Sequence, residues 1–391
     1  MPISKLIERL RARLDDPTYP EITEWKNAHP GGKAIGCFPI YAPVEMVRAA
    51  GMLPVLIAGA AGGIGLDEAD GCLQSFVCSV GRSTLELKLD GFLEKLDGMM
   101  FPSICEISRG LSGVWARHDP GKPVIYIHFP QNTRSESAKS YLMSELNRVK
   151  DILESIAGAP ITYDALLSSF ARYNRRAELL ARLDILRAEH PARFSGSQSY
   201  VLRLAGMRIP PEEHSAILEE ALRELEDTPE GKTPKLRMVM LGAFCERPPV
   251  LMLESIEENG IAIVADDVLL GQAWWKKPLE LTGDPIENLA GHYLGEAVPN
   301  AVVYRHDGRP CDSLKLMMEK THADGVLIAS AKFCHPAHHD NSCIVRECEK
   351  HSIPYLRIEY EEIEQAFESI RLQVEALLEA RERLPFAGTG H

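Results

Sequence analysis

Apolar residues in this chain gather into short continuous runs, separated by longer stretches with helical spacing. Residues 33–38 (KAIGCF), 53–58 (LPVLIA), 97–101 (DGMMF) and 123–129 (PVIYIHF) are four such runs in the first third of the sequence. Runs of this length that do not alternate with polar residues predict strands buried on both faces, as in a parallel sheet covered by helices. Residues 43–51 (PVEMVRAAG) read as a helix with Pro in its first turn and Gly just past its end. Residues 75–93 carry helical spacing with charges on one side, and residues 1–30 read as helical and partly exposed.

The pattern changes at residue 135. Through residue 228 the chain is rich in Leu, Ala, Arg and Glu at helical spacing, with no run that reads as a strand, and a polar hinge DTPEGKTPK (227–235) follows. A second alternation then begins. Residues 236–244 (LRMVMLGAF), 261–265 (IAIVA), 325–330 (GVLIAS) and 354–359 (PYLRIE) predict strands, with helices near 248–258, 311–322, 341–351 and 361–383. The expected fold is therefore α/β: two flavodoxin-like parallel-sheet domains, 1–134 and 233–391, with an intervening helical region, 135–232. Self-similarity between the two α/β halves is too weak to establish a repeat.

Length and composition agree with that reading. A chain of 391 residues with 45% hydrophobic and 25% charged residues has the make-up of an ordinary globular protein. A formal net charge of −13 argues against a nucleic-acid or anionic-membrane partner, while leaving room for a local basic pocket. The N-terminus MPISKLIERLRARLDD lacks an apolar core and a cleavage site, and the most apolar stretch, 52–66, is too short to span a bilayer. A cytoplasmic location follows as an expectation, and with it nine cysteines that are reduced rather than paired.

Three of those cysteines stand where a parallel α/β sheet presents ligands. Cys105 follows the strand DGMMF, Cys334 follows GVLIAS, and Cys78 opens a helix, where backbone N–H groups favour a thiolate. Converging in a cleft between two α/β units, three thiolates would hold a [4Fe–4S] cube with one iron left open. By spacing alone the three read first as the usual free cysteine, buried as a small hydrophobe. Cys245 is the best reserve ligand, whereas Cys343 and Cys348 fall on one helix and read as packing residues.

The runs GCFPIYAPVEMVRAAGMLPV, CSVGRS, LDGMMFPSIC, GIAIVADD, DGVLIASAKFC and IPYLRIE, in that order, resemble the 2-hydroxyacyl-CoA dehydratase and benzoyl-CoA reductase family. The wording of QSFVCSVGRSTLEL and DGMMFPSIC is most similar to the C, or gamma, subunits of ATP-dependent benzoyl-CoA reductases. The resemblance implies a [4Fe–4S] cluster on Cys78, Cys105 and Cys334. It implies a sister subunit of the same fold, ATP-hydrolysing electron-activating subunits, reduced ferredoxin as donor and an acyl-CoA substrate that is reductively dearomatised. The chain itself has no GxxxxGK[ST] loop, and GAAGGIG (59–65) reads as a strand-to-loop turn.

Around the cluster residues, His335 and Glu106 are the expected proton donors, with a polar surface loop and a hydrogen-bonding role as their respective alternatives. Arg82, one turn beyond Cys78, is expected to tune the cluster or bind a CoA phosphate, or else to form a surface salt bridge. Asp266 and Asp267 close a strand and either bind ligand or cap the next helix. Trp274 and Trp275 read as packing residues. A 2-hydroxyacyl-CoA dehydratase subunit and a non-catalytic cluster-bearing scaffold are the rival functions.

Overall fold

A computed structural model of the protein describes residues 2–60, 62–243, 245–270, 277–296, 302–309, 311–362 and 366–383. Trp274 and Trp275 lie outside the described residues. The first sheet comprises β1 (Ala34–Cys37), β2 (Leu53–Leu56), β3 (Gly98–Pro102) and β4 (Val124–Ile127), in the order β2-β1-β3-β4. The second comprises β5 (Leu236–Leu241), β6 (Ile261–Asp266), β7 (Gly325–Ala331) and β8 (Tyr355–Tyr360), in the order β6-β5-β7-β8. Every pairing is parallel, and the two sheets wind identically. The expected pair of flavodoxin-like sheets is therefore what the chain forms, and the resemblance between its halves, too weak to read in sequence, is plain in topology.

The first unit carries helices α1 (Ile3–Asp15), α2 (Pro20–Ala28), α3 (Val44–Ala49), α4 (Asp67–Cys72), α5 (Ser79–Leu89) and α6 (Glu106–His118). Four helices follow: α7 (Ala138–Ala157), α8 (Tyr163–Glu189), α9 (Gly196–Ala205) and α10 (Pro211–Glu226). The second unit adds α11 (Val250–Glu258), α12 (Pro285–Glu296), α13 (Asp312–Thr321), α14 (His335–Lys350) and α15 (Glu368–Arg383). None of the described helices is long and apolar enough to cross a membrane.

Three element boundaries depart from the sequence expectation, each for a local reason. β5 ends at Leu241 rather than near 244 because Gly242 turns the chain at φ +102°; a Cβ there would lie 2.5 Å from Ala329 O. α5 begins only at Ser79, after the extended backbone of Cys78. α14 begins at His335 rather than near 341, with Cys334 at its N-cap and proline in its first turn. The segment HPAHHD is thus the start of a helix and not a loop.

One apolar core runs through both units, including Ile35 and Met100 of the first sheet and Met238 and Leu327 of the second. The alternate residues Val239 and Leu241 face the other way, onto a smaller cluster with Leu314 of α13 and Ile344 of α14. Here Cys311 and Cys343 are joined as a disulfide, with Cα atoms 5.8 Å apart, against the expectation that all nine cysteines are reduced. The helices bring them together as neighbours in the packing layer over the second sheet.

Buried polar contacts lock the units to each other. Ser83 Oγ donates to Glu362 Oε2 at 2.7 Å, and Glu362 N donates to Ser79 Oγ at 2.9 Å. Gly59 N donates to Thr84 Oγ1, and Gly59 O accepts from Tyr19 and from the Arg247 guanidinium. The helical segment is fastened in turn by Arg187 of α8, whose Nη1 donates to Asp266 Oδ2 at the end of β6, 2.5 Å away. These contacts hold the carboxyl ends of both sheets in fixed relation.

Candidate metal centre

Both sheets reverse their strand order next to their first strand, between β1 and β3 and between β5 and β7. Loops leaving those strands diverge around a crevice, the usual ligand position in an open α/β sheet. Cys105 follows β3 by three residues, and Cys334 follows β7 by three residues. The two cysteines occupy matching places in the two units.

Cys78, Cys105 and Cys334 share a further feature: each is the N-cap of the helix that follows it, α5, α6 and α14 respectively. The Cys105 sulfur accepts a hydrogen bond from Ser108 N at 3.4 Å. Free N–H groups and the positive end of the helix dipole stabilise negative charge at such positions. Three helices of 11, 13 and 16 residues thus begin at thiols, a placement suited to anionic sulfur.

A fourth thiol and a carboxylate join them. The ligand atoms of Cys245, Glu246 and Cys334 all lie within 4.8 Å of one another. Cys78 and Cys105 are near enough that Cys334 and Glu246 act on their ionisation. Cys78, Cys245, Cys334 and Glu246 are buried, and Cys105 is half-buried. Among the described residues, Glu246 Oε2 has no hydrogen-bond partner.

Burial is the main force on ionisation here. It pushes the Cys78 thiol well above its ordinary value and Cys105 up to about 12, and negative neighbours add to both shifts. Cys334 is raised first by its hydrogen bond with Cys245 and then by burial. That bond pulls Cys245 down, but burial and the surrounding negative groups carry it to about 12. Burial raises the Glu246 carboxyl to about 7, against the opposing pull of the Cys334 thiol. Without a cation, burial favours the neutral form of the thiols. A bound metal would ionise the thiols and satisfy the orphaned carboxylate oxygen, so the donor set fits a thiolate-bound cluster.

The other residues singled out in the sequence are placed as follows. Glu106 and His335, each directly after one of these cysteines, open α6 and α14 and are exposed. Arg82 forks onto Asp70 of α4 through Nε at 2.7 Å and Nη2 at 2.6 Å. Asp266 is buried against Arg187 and accepts from Val268 N; Asp267 accepts from Gly242 N and Ala243 N, which shapes the turn leading to Cys245. Burial raises the Asp267 carboxyl to about 7. Glu246 was missed in the sequence. Its signal is the dipeptide Cys245-Glu246, which repeats Cys105-Glu106 after another strand.

Beside the loop after β1 lies a small apolar cavity of about 70 Å³, lined by Cys37, Phe38, Ile40, Tyr41, Leu56 and Tyr173 among others. It is far too small for an acyl-CoA.

Fold and donor set together define a twofold α/β protein with a buried, thiol-rich nest that could hold a metal, built from residues that follow strands of both sheets. The chain belongs to the 2-hydroxyglutaryl-CoA dehydratase, D-component, family, whose family model matches residues 39–380. It is 35% identical to a benzoyl-CoA reductase subunit of Thauera aromatica over 376 residues, 95% of this chain and 97% of that protein. It is 30% identical over 356 residues to the beta subunit of the lactoyl-CoA dehydratase of Anaerotignum propionicum, covering 90% and 92% of the two chains. With the beta subunit of the (R)-2-hydroxyglutaryl-CoA dehydratase of Acidaminococcus fermentans it shares 28% identity over 386 residues, 97% of this chain and all of that one.

Proposed function

We propose that this chain is the iron–sulfur subunit of an ATP-coupled benzoyl-CoA reductase, acting in the cytoplasm on the reduction of benzoyl-CoA to cyclohexa-1,5-diene-1-carbonyl-CoA. The observation that carries the reading is the convergence of Cys78, Cys105 and Cys334, three helix N-cap thiols, on one buried nest. The 35% identity to a benzoyl-CoA reductase subunit over nearly the whole chain supports the choice of substrate.

A [4Fe–4S] cluster on those three cysteines would supply single electrons at low potential. The chain's own contribution is positional. Three helix N-termini hold the sulfurs and offset their charge, and the surrounding core keeps water away from them. Glu106 and His335 sit at the exposed mouth beside Cys105 and Cys334, where either delivers a proton to a bound acyl group. Arg82, tied to Asp70 and one turn from Cys78, contributes positive charge on the cluster side of α5.

The substrate lies between this chain and a sister subunit of the same fold, a reading that draws on relatives that are themselves subunits. Reduced ferredoxin and ATP-hydrolysing subunits supply the driving force, since this chain has no phosphate loop. The second reading, a 2-hydroxyacyl-CoA dehydratase subunit, draws on the two dehydratase relatives.

The test is the anaerobic complex assayed with benzoyl-CoA, ATP and reduced ferredoxin. Diene formation that is lost in Cys78→Ala, Cys105→Ala and Cys334→Ala supports the reductase. Dehydration of a 2-hydroxyacyl-CoA with no benzoyl-CoA turnover favours the dehydratase. A bound cluster without acyl-CoA binding would mean an electron-transfer scaffold. Unchanged diene formation in Cys334→Ala would sink the cluster assignment.

A further inference from the structure

We infer that Cys311 and Cys343 form a reversible dithiol–disulfide couple, a redox site separate from the thiol nest, which exchanges with cellular dithiols through Cys343. Of the reading above it uses only the cytoplasmic location, whose dithiols reduce accessible disulfides. Cys343 lies nine residues beyond Cys334, about 14 Å along α14 at the ordinary helical rise. The pair belongs to the smaller apolar cluster onto which Val239 and Leu241 face.

The bond joins two helices that are held together without it. Cys311 is the N-cap of α13 and 2% exposed, whereas Cys343 sits in the middle of α14 and is half-buried. Their Cα atoms are 5.8 Å apart, within the range a disulfide bridges. Leu314 of α13 and Ile344 of α14 pack in the same cluster, and Arg309 Nη1 lies 3.5 Å from Glu347 Oε2. Opening the bond therefore leaves the two sulfurs facing each other, ready to close again.

Exchange has a direction. A partner thiolate reaches the half-buried Cys343 sulfur. Attack there forms a mixed disulfide with Cys343 and breaks its bond to Cys311. The Cys311 thiolate is released at the N-terminus of a helix of 10 residues, where N–H groups stabilise it. A stabilised leaving thiolate departs faster. Cys311 then takes up a proton. The partner's second thiol attacks the partner's own sulfur in the mixed disulfide and expels Cys343, which is protonated in turn. Two electrons have passed to the pair, and the dithiol leaves as a cyclic disulfide; a disulfide oxidant reverses each step. Cys348, the third thiol of this cluster, is raised to about 11 by burial, so it stays neutral and outside the exchange.

The loop closed by the bond spans 32 residues and contains β7 and Cys334. Closed, this segment is tied at both ends; opened, it is held by packing and hydrogen bonds alone. Oxidising surroundings thus tighten the segment that carries Cys334, and a dithiol loosens it.

The experiment uses the full chain, purified anaerobically and equilibrated in its folded state with mixtures of reduced and oxidised dithiothreitol. Free thiols are trapped by alkylation, and the peptides carrying Cys311 and Cys343 are weighed. Expected is one reversible transition in which the two peptides pass together from joined to alkylated. From the loop length and the size of the chain, the opened form should melt about 3–6 °C below the closed form. The Cys311→Ala, Cys343→Ala double variant should melt with the opened form in every buffer. With oxidised glutathione, Cys311→Ser should take up the label on Cys343, and Cys343→Ser none on Cys311 in the same time. A pair that never joins overturns the inference, as does one that stays joined under excess dithiothreitol until the chain unfolds; both are read on the parent, even if no variant folds. Equal melting of the opened and closed forms also overturns it, and so does glutathione on Cys311 rather than Cys343. Iron is measured on the same samples. Its absence would sink the cluster reading and leave the peptides of this pair to decide the inference.

Discussion

Replacing Gly59 by Ala tests how the two units are held together at the metal nest. Gly59 has φ +79°, and an added Cβ would lie 2.6 Å from both Glu362 Oε1 and Ser83 Oγ. The left-handed backbone alone penalises a side chain by about 1–2 kcal/mol, and overpacking of a filled site adds roughly 1–3 kcal/mol. The expected loss is about 2–5 kcal/mol. At roughly 2.1 cal/mol/K of unfolding entropy per residue, a chain of 391 residues loses about 2–6 °C of Tm. Glu362 and Ser83 are also the groups that fix α5, through Ser83 Oγ and Ser79 Oγ, and Cys78 caps that helix. The displaced carboxylate should therefore move Cys78 and reduce iron per chain after reconstitution. Calorimetry and iron analysis read both effects. Ser83→Ala removes one of the two clashing atoms, so the double variant should lose less than the sum of the singles, by about 0.5 kcal/mol or more. Strict additivity, or a Gly59→Ala chain with parental Tm and iron content, would refute the proposed contact as the link between the units.

Asp266→Asn should destabilise the fold by about 3–5 kcal/mol, because it leaves the fully buried Arg187 without its hydrogen-bonded counter-charge and with only Asp184, 3.7 Å away, to balance it; denaturation of the variant, and of an Arg187→Met, Asp266→Leu pair that should recover most of the loss, measures this. Burial alone would raise the Asp266 carboxyl, but the Arg187 and Arg203 charges hold it below its ordinary value. Its contribution is thus present above the ordinary carboxylate range and lost as pH falls through the folded value. His214 is buried with its Nε2 on Leu202 O, and burial lowers it from 6.5 to about 3. The unfolded chain binds a proton in that window that the folded chain does not, so stability should fall below pH 6.5 by up to about 1.4 kcal/mol per unit; His214→Gln should flatten this slope in pH-dependent unfolding. Arg82→Gln removes a partly exposed ion pair with Asp70 and should change stability by no more than about 1 kcal/mol. A shift of the cluster's midpoint potential in that variant would then report charge rather than unfolding, and an unchanged potential would remove Arg82 from the electrostatics of the site.

Much of this molecule was legible one segment at a time. Continuous apolar runs at 97–101 and 325–330 can only be satisfied by strands buried on both faces, and they became β3 and β7. Cysteines three residues beyond those strands stand at the ligand-binding end of any parallel sheet, whatever its strand order. The helical spacing of residues 135–228 became four helices for the same reason. Periodicity and strand-end position are local properties, carried by a few consecutive residues.

What the tertiary structure alone decided depends on contacts between distant segments. The identical winding of the two sheets, the joining of Cys311 to Cys343, and the pairing of Arg187 with an aspartate 79 residues away have no local signature. Asp266 could have been a ligand or a cap until Arg187 reached it. The start of α14 at His335 turned HPAHHD from a loop into a helical turn, and made Cys334 a cap. Above all, Cys245 was only a reserve ligand and Glu246 carried no signal of its own until the chain closed around them and set them within 4.8 Å of Cys334. A site assembled from residues 78, 105, 245, 246 and 334 is formed by loop closure and packing, and short-range sequence pattern does not encode which loop ends meet.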